Sequence, residues 1–489
     1  MLFNSHIFML LFLPLLLAGW YFLNWKKKFQ LAQGYLIGMS LWFYAYANLQ
    51  YLWLLLFSCL IGWLLSCVPE KISSEKGKKV LTGVGCVFHL GLLGYFKYSN
   101  FFLENLNTVF HTDFPMLQIL LPVGISFYTF QQLAYLIDRC RGDAPRDSFF
   151  DYLTFMVYFP QLLQGPILLR SEFMGQLKEP ERRRFHAERF SEGIQFFVFG
   201  LAKKVLLADT LAKAVNYGYS NVSMLDSISA LLLAVGYLTE LYFDFSGYCD
   251  MAVGLGKMIG LEVAENFDAP FHSASVKEFW RRWHMTLGRF FTRYVYIPLG
   301  GNRRGKMRTL CNVMIVMLLS GLWHGAAWTF VLWGFLHGVG MIWDNLEHPH
   351  LPKKWMRQAA TFAYVCMTFV FFRAESIAQG IDVLKSIVSL KWNGFVFQMA
   401  SALDLTEFYM ITKALSMKLP GLLSWFWLGI FVVLIAICFR VLSGEKVSGV
   451  VALKRQKGYG RLYPVLLAVL FTWSMISMTG VSEYLYFSF

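Results

Sequence analysis

The residues best placed to do chemistry are Ser320-Gly321-Leu322-Trp323-His324-Gly325-Ala326-Ala327-Trp328, where a histidine stands inside an apolar stretch. From Thr309 to Leu346 the only ionisable side chains are those of Cys311, His324, His337 and Asp344. An imidazole in hydrocarbon is costly, so such a histidine is either a functional group or a packing residue with a hydrogen-bond partner. Its ordinary pKa of about 6.5 suits proton transfer near neutral pH. His337, further along, either shares the same wall or is a hydrogen-bonded packing residue, and the second reading is preferred.

A second cluster, Glu278-Phe279-Trp280-Arg281-Arg282-Trp283-His284-Met285, interleaves aromatics with cations. It reads in two ways. It is an interfacial helix with tryptophans at headgroup level and arginines toward water, or it is a mouth for an anionic, nucleotide-like donor, since guanidinium forks match phosphates. The loop Tyr294-Val295-Tyr296-Ile297-Pro298-Leu299-Gly300-Gly301-Asn302-Arg303-Arg304-Gly305 adds cations on a glycine-rich turn, without a Walker or dinucleotide pattern. In Tyr242-Phe243-Asp244-Phe245-Ser246-Gly247-Tyr248-Cys249-Asp250, the two aspartates either line a cavity or cap helices. Neither a Gly-x-Ser-x-Gly elbow nor an HExxH pair occurs. The 8 cysteines are scattered, without CxxC spacing, so they read as small buried hydrophobes and no metal site is expected.

These groups must be positioned by membrane helices. The chain is 57% hydrophobic, 18% aromatic and only 15% charged, with mean hydropathy +0.48, which excludes an ordinary soluble domain. Continuous apolar runs of about 17–25 residues recur, so an all-α polytopic membrane protein is expected and a β-barrel is not. The net charge of +14 is spread over connecting segments, fitting the positive-inside rule and leaving no nucleic-acid patch. Apolar Phe8–Phe22 precedes Lys26-Lys27-Lys28, the reverse of a cleavable signal, which places the amino terminus outside.

The spans are read as follows. Residues 29–65 form a hairpin turning near Ala47-Asn48, residues 80–96 run outward and 116–137 inward. Residues 150–169, with Phe159-Pro160-Gln161 and Gln164-Gly165-Pro166, form a broken or re-entrant segment. Residues 190–206 and 228–245 span, and 250–308 form a cytoplasmic loop with interfacial helices. Spans at 310–323, 330–342, 360–372, 425–439 and 465–479 complete about a dozen, with both termini extracytoplasmic. If a helix starts near Thr309, His324 lies about 22 Å along it at roughly 1.5 Å per residue, deep in a core about 30 Å thick.

The run from Glu265-Asn266-Phe267 through Glu278–His284, Tyr296–Arg303 and Gly321–Trp328 strongly resembles the membrane-bound O-acyltransferases. Gly200-Leu201-Ala202-Lys203-Lys204-Val205, Tyr242–Tyr248, Phe159-Pro160-Gln161-Leu162 with Gly165-Pro166, and Phe371-Phe372-Arg373-Ala374 match the bacterial branch that acetylates alginate. The resemblance covers nearly the whole chain. It implies one membrane-embedded domain over residues 1–489, a bundle of tilted helices around a through-membrane tunnel, with a short extracytoplasmic tail at 481–489. It implies His324 as catalytic histidine and His284 as the second signature histidine. Acetyl-CoA would be the donor substrate, with no bound cofactor, and Arg281, Arg282, Arg303 and Arg304 would hold its nucleotide end. The ending Tyr484-Leu485-Tyr486-Phe487-Ser488-Phe489 resembles a tail motif, Phe-x-Tyr-x-x-Phe, whose tyrosine carries the acyl group. Tyr484 stands where the motif has Phe, and spacing to Phe489 favours Tyr486 over Tyr484 as carrier; an aromatic tail packed at the outer interface is the alternative.

The function implied is O-acetylation of a secreted or cell-wall polysaccharide from the inner membrane. An extracytoplasmic acetyltransferase of the SGNH-hydrolase type would complete the transfer. The alternatives are a transporter of an activated acyl group without chemistry of its own, for which the repeated halves of transporters are not seen, and a non-catalytic scaffold.

Overall fold

The computed structural model describes residues 1–346, 353–442, 446–458, 460, 462–478 and 484–485. Among these the secondary structure is helical, without strands, as the apolar runs require. Six helices are long and apolar enough to cross a membrane: Phe8–Trp25, Leu49–Lys71, Glu75–Phe110, Ser227–Ile259, Lys306–His324 and Pro420–Phe439. Phe29–Asn48, Ile125–Arg141, Ala187–Ala202, Trp328–Asn345, Lys354–Arg373 and Leu462–Ser477 pack among them.

The architecture is organised by Ser227–Ile259, a helix of 33 residues. At 1.5 Å per residue it is about 50 Å long, well beyond the thickness of a hydrocarbon core, so it must tilt or protrude. Asp226 caps its start: the carboxylate accepts from Ser229 N at 2.8 Å while Ser229 Oγ accepts from Asp226 N. Burial pulls this carboxyl upward, but bonds from Ser229, Asn393 and Gly394 outweigh it and hold the pKa below the ordinary carboxylate value. The helix ends at Gly260, whose φ of 88° suits a left-handed cap.

Glycines set its closest neighbour. A Cβ on Gly200 would lie 2.5 Å from Gly247 O, and one on Gly193 would lie 2.6 Å from Gly254 O. Helix Ala187–Ala202 therefore crosses the central helix backbone against backbone, the small-residue packing that membranes favour.

The expected span 228–245 stops too early. Asp244 and Asp250 mark neither its end nor a cap, because each is neutralised from outside the helix. A π-helical stretch, Lys203–Ala208, brings Lys204 Nζ to 2.6 Å from Asp244 Oδ1 and Lys203 Nζ to 2.6 Å from Asp250 Oδ2. Lys204 also reaches Asp209 at 2.8 Å. Paired acids need no water, so the helix runs on.

The expected helix at 116–137 begins later, at Ile125, because Pro122 and Gly124 (φ 78°) shape an irregular approach. The broken segment is as expected: Phe149–Val157 ends, Tyr158 turns with ψ 108°, and one short turn, Phe159–Leu162, follows. Residues 155–168 are buried throughout, so protein covers the irregular backbone.

Residues 250–308 differ most from expectation. Between 276 and 296 much of the segment is packed inside the protein, while 302–308 are exposed. Phe279, Trp283, His284, Leu287, Phe290 and Phe291 are each at most 5% exposed. Two of the arginines in this stretch are met by acids from elsewhere in the chain. Arg289 is bonded to Glu172, and Arg293 reaches Asp138 at 3.0 Å and Asp143 at 3.1 Å. The apolar side chains between them are then available to the core, where Phe279 and Trp283 join Trp333, Phe369 and Phe372.

Candidate active site

Helix Lys306–His324 turns back through Gly325-Ala326-Ala327 into Trp328–Asn345. The hairpin closes on glycine: a Cβ on Gly321 would lie 2.3 Å from Phe330 O, and one on Gly334 would lie 2.5 Å from Met317 O. His324 is the last helical residue and is 3% exposed. The rings of Trp323, Trp333 and Phe372 surround it with centroids 5.0, 5.1 and 5.2 Å away.

The carbonyls at this helix end lack intrahelical partners. Lys97 supplies them, donating from Nζ to Trp323 O at 2.7 Å and to His324 O at 2.9 Å, while Tyr98 OH donates to Leu322 O. Both residues lie in a π-helical stretch, Gly94–Tyr98, a helical irregularity often found at functional sites.

His284 joins helices Val276–Arg282 and Met285–Phe291 in the left-handed region, with φ 45°. For a residue with a Cβ that backbone is strained, and the surroundings must enforce it. They do so through Asn266, whose backbone carbonyl accepts from Met285 N at 2.9 Å. Asn266 Oδ1 receives Thr286 N at 3.1 Å, Thr286 Oγ1 at 2.9 Å and His284 Nδ1 at 3.2 Å. The Thr286 backbone N–H can only donate, so Oδ1 is an acceptor and His284 Nδ1 must carry the proton. The basic nitrogen of neutral His284 is then Nε2. Its ring lies 6.4 Å from that of His324, centroid to centroid. The two signature histidines, forty residues apart in sequence, are thus brought together.

His337 is not part of that pair. Trp280 Nε1 donates to its Nδ1 at 3.2 Å, and Thr368 Oγ1 lies 2.9 Å from its Nε2 while giving its own proton to Val365 O. The imidazole is consumed at both nitrogens, the packing role preferred from sequence.

The four arginines lie on two elements, the end of helix Val276–Arg282 and the loop before helix Lys306–His324. Arg281 is exposed, and Arg282 pairs with Glu278 at 2.9 Å and donates to Asp268 O. Arg303 and Arg304 are exposed on the following loop, which Asn312 ties down by donating to Gly301 O at 2.9 Å. Among the described residues no direct contact joins the two pairs.

Two cavities lie in this region, and His324 lines the smaller of them. A small one of about 50 Å³ is bordered by Lys97, Gly124, Ser126, Gln164, Trp323 and His324. A larger one of about 530 Å³ is walled by Phe330 and Phe372, which touches His324, and by Lys204, Glu240, Asp244, Arg373 and Leu485. The described part of the tail therefore returns to the centre of the molecule. Leu485 N donates to Asp244 Oδ2 at 3.1 Å. Tyr484 is fully buried, edge-on to Tyr248 at 5.0 Å and under the Lys204 ammonium at 4.6 Å. Tyr484 thus holds a packing position. Tyr486 lies outside the described residues.

Sequence reasoning missed Lys97, Gln164 and the Asn266–Thr286 support of His284. Lys97 alone had a usable signal, a single cation between Phe96 and Tyr98 at the edge of an apolar run.

Comparison with known proteins identifies a family. The family model described as "MBOAT, membrane-bound O-acyltransferase family" matches residues 144–379. The chain is 35% identical over 423 residues to a "Peptidoglycan O-acetyltransferase" of Helicobacter pylori, covering 80% of each. It is 39% identical over 389 residues to a "Probable alginate O-acetylase AlgI" of Azotobacter vinelandii, covering 77% of this chain and 76% of the relative. A "Teichoic acid D-alanyltransferase" of Streptococcus thermophilus is more distant, at 28% over 253 residues, 49% of this chain and 58% of the relative.

Proposed function

The chain belongs to the membrane-bound O-acyltransferase family, and on that premise we propose that it takes acetyl from acetyl-CoA at the cytoplasmic face of the inner membrane and passes it across for O-acetylation of a secreted or cell-wall polysaccharide. The named relatives act on peptidoglycan and, by name, alginate, which supports a polysaccharide as the final acceptor. The observation that carries the reading is the approach of His324 and His284 to 6.4 Å beneath a wall of aromatics.

In this reading His324 is the general base. It draws the proton from a hydroxyl that attacks the acetyl thioester, and His284, oriented by Asn266, supports it through Nε2. Arg281, Arg282, Arg303 and Arg304 hold the nucleotide end of the donor by charge-assisted contacts. Tyr486 is the acyl carrier. The seating of Tyr484 and Leu485 supports this, because Leu485 lines a cavity walled by Phe372, whose ring packs on His324. An ordinary phenol pKa of about 10 makes a neighbouring base necessary for attack, and the aryl acetate formed is activated for onward transfer. An extracytoplasmic transferase of the SGNH-hydrolase type, with its own nucleophile, completes delivery to the polymer.

The test is acetylation of surface polysaccharide in cells carrying the wild type or His324→Ala, with insertion checked. A fall of about 10²–10⁴-fold is expected, and near wild-type acetylation would refute the assignment. Mass spectrometry of the carboxy-terminal peptide under turnover should show acetyl on Tyr486. Full acetylation by Tyr486→Phe would remove the carrier role and leave His324 untouched. Alanine pairs at the four arginines should raise the donor KM more than they lower kcat.

A further inference from the structure

Gln164 is fully buried, and among the described residues neither its Nε2 nor its Oε1 has a hydrogen-bond partner. Burying an amide unpaired is costly, and native proteins rarely tolerate it without a reason. Gln164 borders the 50 Å³ cavity that Lys97 and His324 also border. Lys97 is unusual in its own way. Its ammonium touches the carbonyls of Trp323 and His324, and among the described residues no carboxylate pairs with it. Two of its three N–H donors are used on those carbonyls, which leaves one.

A cap on the helix end accounts for two of those donors. It does not account for a partnerless amide across the same small cavity, nor for a cation kept without a counter-ion. Both features are explained together if negative charge occupies the cavity at one stage of the reaction. We propose that Lys97 and Gln164 form the oxyanion site of the acyl transfer, taking the carbonyl oxygen of the acetyl donor. This rests on acyl transfer at His324.

In the step itself, the acceptor hydroxyl oxygen bonds to the acyl carbon as its proton passes to the His324 imidazole. The carbonyl π pair moves onto oxygen, and the resulting oxyanion accepts from the remaining Lys97 N–H and from Gln164 Nε2. On collapse the C=O bond re-forms and the C–S bond breaks. The leaving thiolate then takes the proton from the imidazolium, so the thiol departs neutral and the histidine is regenerated. Donors aimed at developing charge in a dry site are worth far more than in water.

Gln164→Met is the informative variant, because among the described residues the Gln164 side chain has no hydrogen bond to lose. Expected are thermal stability in detergent at or above wild type, a donor KM within a few-fold, and a kcat down about 10²–10³-fold, the usual loss for one oxyanion donor. A second readout uses two unreactive analogues of acetyl-CoA. One is a trifluoromethyl ketone that becomes tetrahedral on adding a hydroxyl; the other is a thioether in which a methylene replaces the carbonyl. The wild type should prefer the ketone strongly, as transition-state mimics are preferred. Gln164→Met and Lys97→Met should each cut that preference tenfold or more while thioether affinity stays put. Retained preference in Gln164→Met, or an equal loss of both analogues in the two variants, overturns the proposal. Failure of the underlying reading is separate, since it shows as wild-type acetylation by His324→Ala.

Discussion

Two π-helical stretches carry lysines into the interior of this protein, and they treat the charge in opposite ways. In Lys203–Ala208 each lysine is matched: Lys203 to Asp250, and Lys204 to Asp244 and Asp209. In Gly94–Tyr98 the single Lys97 meets only backbone carbonyls. The matched pair is a structural element that also seats the tail, since Asp244 accepts from Leu485 N and Lys204 lies over Tyr484. The unmatched cation stands beside His324. Where charge is balanced at rest it holds the fold; where it is unbalanced, the proposal reserves it for charge that develops during turnover.

That contrast can be broken by exchanging stability and rate readouts. The largest stability effect belongs to Lys204→Met. It strands Asp244 at 2% side-chain exposure, and breaking a buried pair from one side costs about 3–5 kcal/mol, visible as poor insertion or a lower melting temperature. Lys97→Met should cost less, about 1–3 kcal/mol for carbonyls left without donors, yet reduce acetylation far more than its stability loss predicts. If Lys97→Met instead loses stability as Lys204→Met does, with rate following only protein level, the two lysines play the same role. Asn266→Leu should lower kcat by roughly 5–150-fold, because about 1–3 kcal/mol of positioning at His284 is worth that much in rate. His337→Gln should be mildest, a few-fold at most in acetylation, since His337 acts only through Trp280 and Thr368. A large loss of rate from His337→Gln at wild-type stability would place that histidine in the reaction after all.

Local signals carried much of this to the reader of the chain. An imidazole alone in an apolar run marked His324, and prolines with glycine marked the break after Tyr158, because both are decided within a few residues. The pairings were not legible. Asp244 and Lys204 lie forty positions apart, so Asp244 looked like a helix boundary when it was an interior residue with a partner. Arg289 and Arg293 likewise suggested a surface, and only Glu172 and Asp138, far upstream, allow that segment into the core. Lys97 faces His324 across more than two hundred residues. Gln164 gives no sequence signal, because its peculiarity is a lack of partners that only three dimensions reveal.

The hairpin that ends at His324 closes on Gly321 and Gly334 with no side chain between the backbones. Two helices so joined have almost no sliding freedom, and the aromatic rings around the imidazole leave it little room to turn. The orientational entropy of the base is therefore surrendered once, when the protein folds, and is not lost again with each substrate bound. Adaptation to donor and acceptor must come from the parts that move toward this fixed point. In the proposed reaction His324 is the anvil and the substrates are the moving parts.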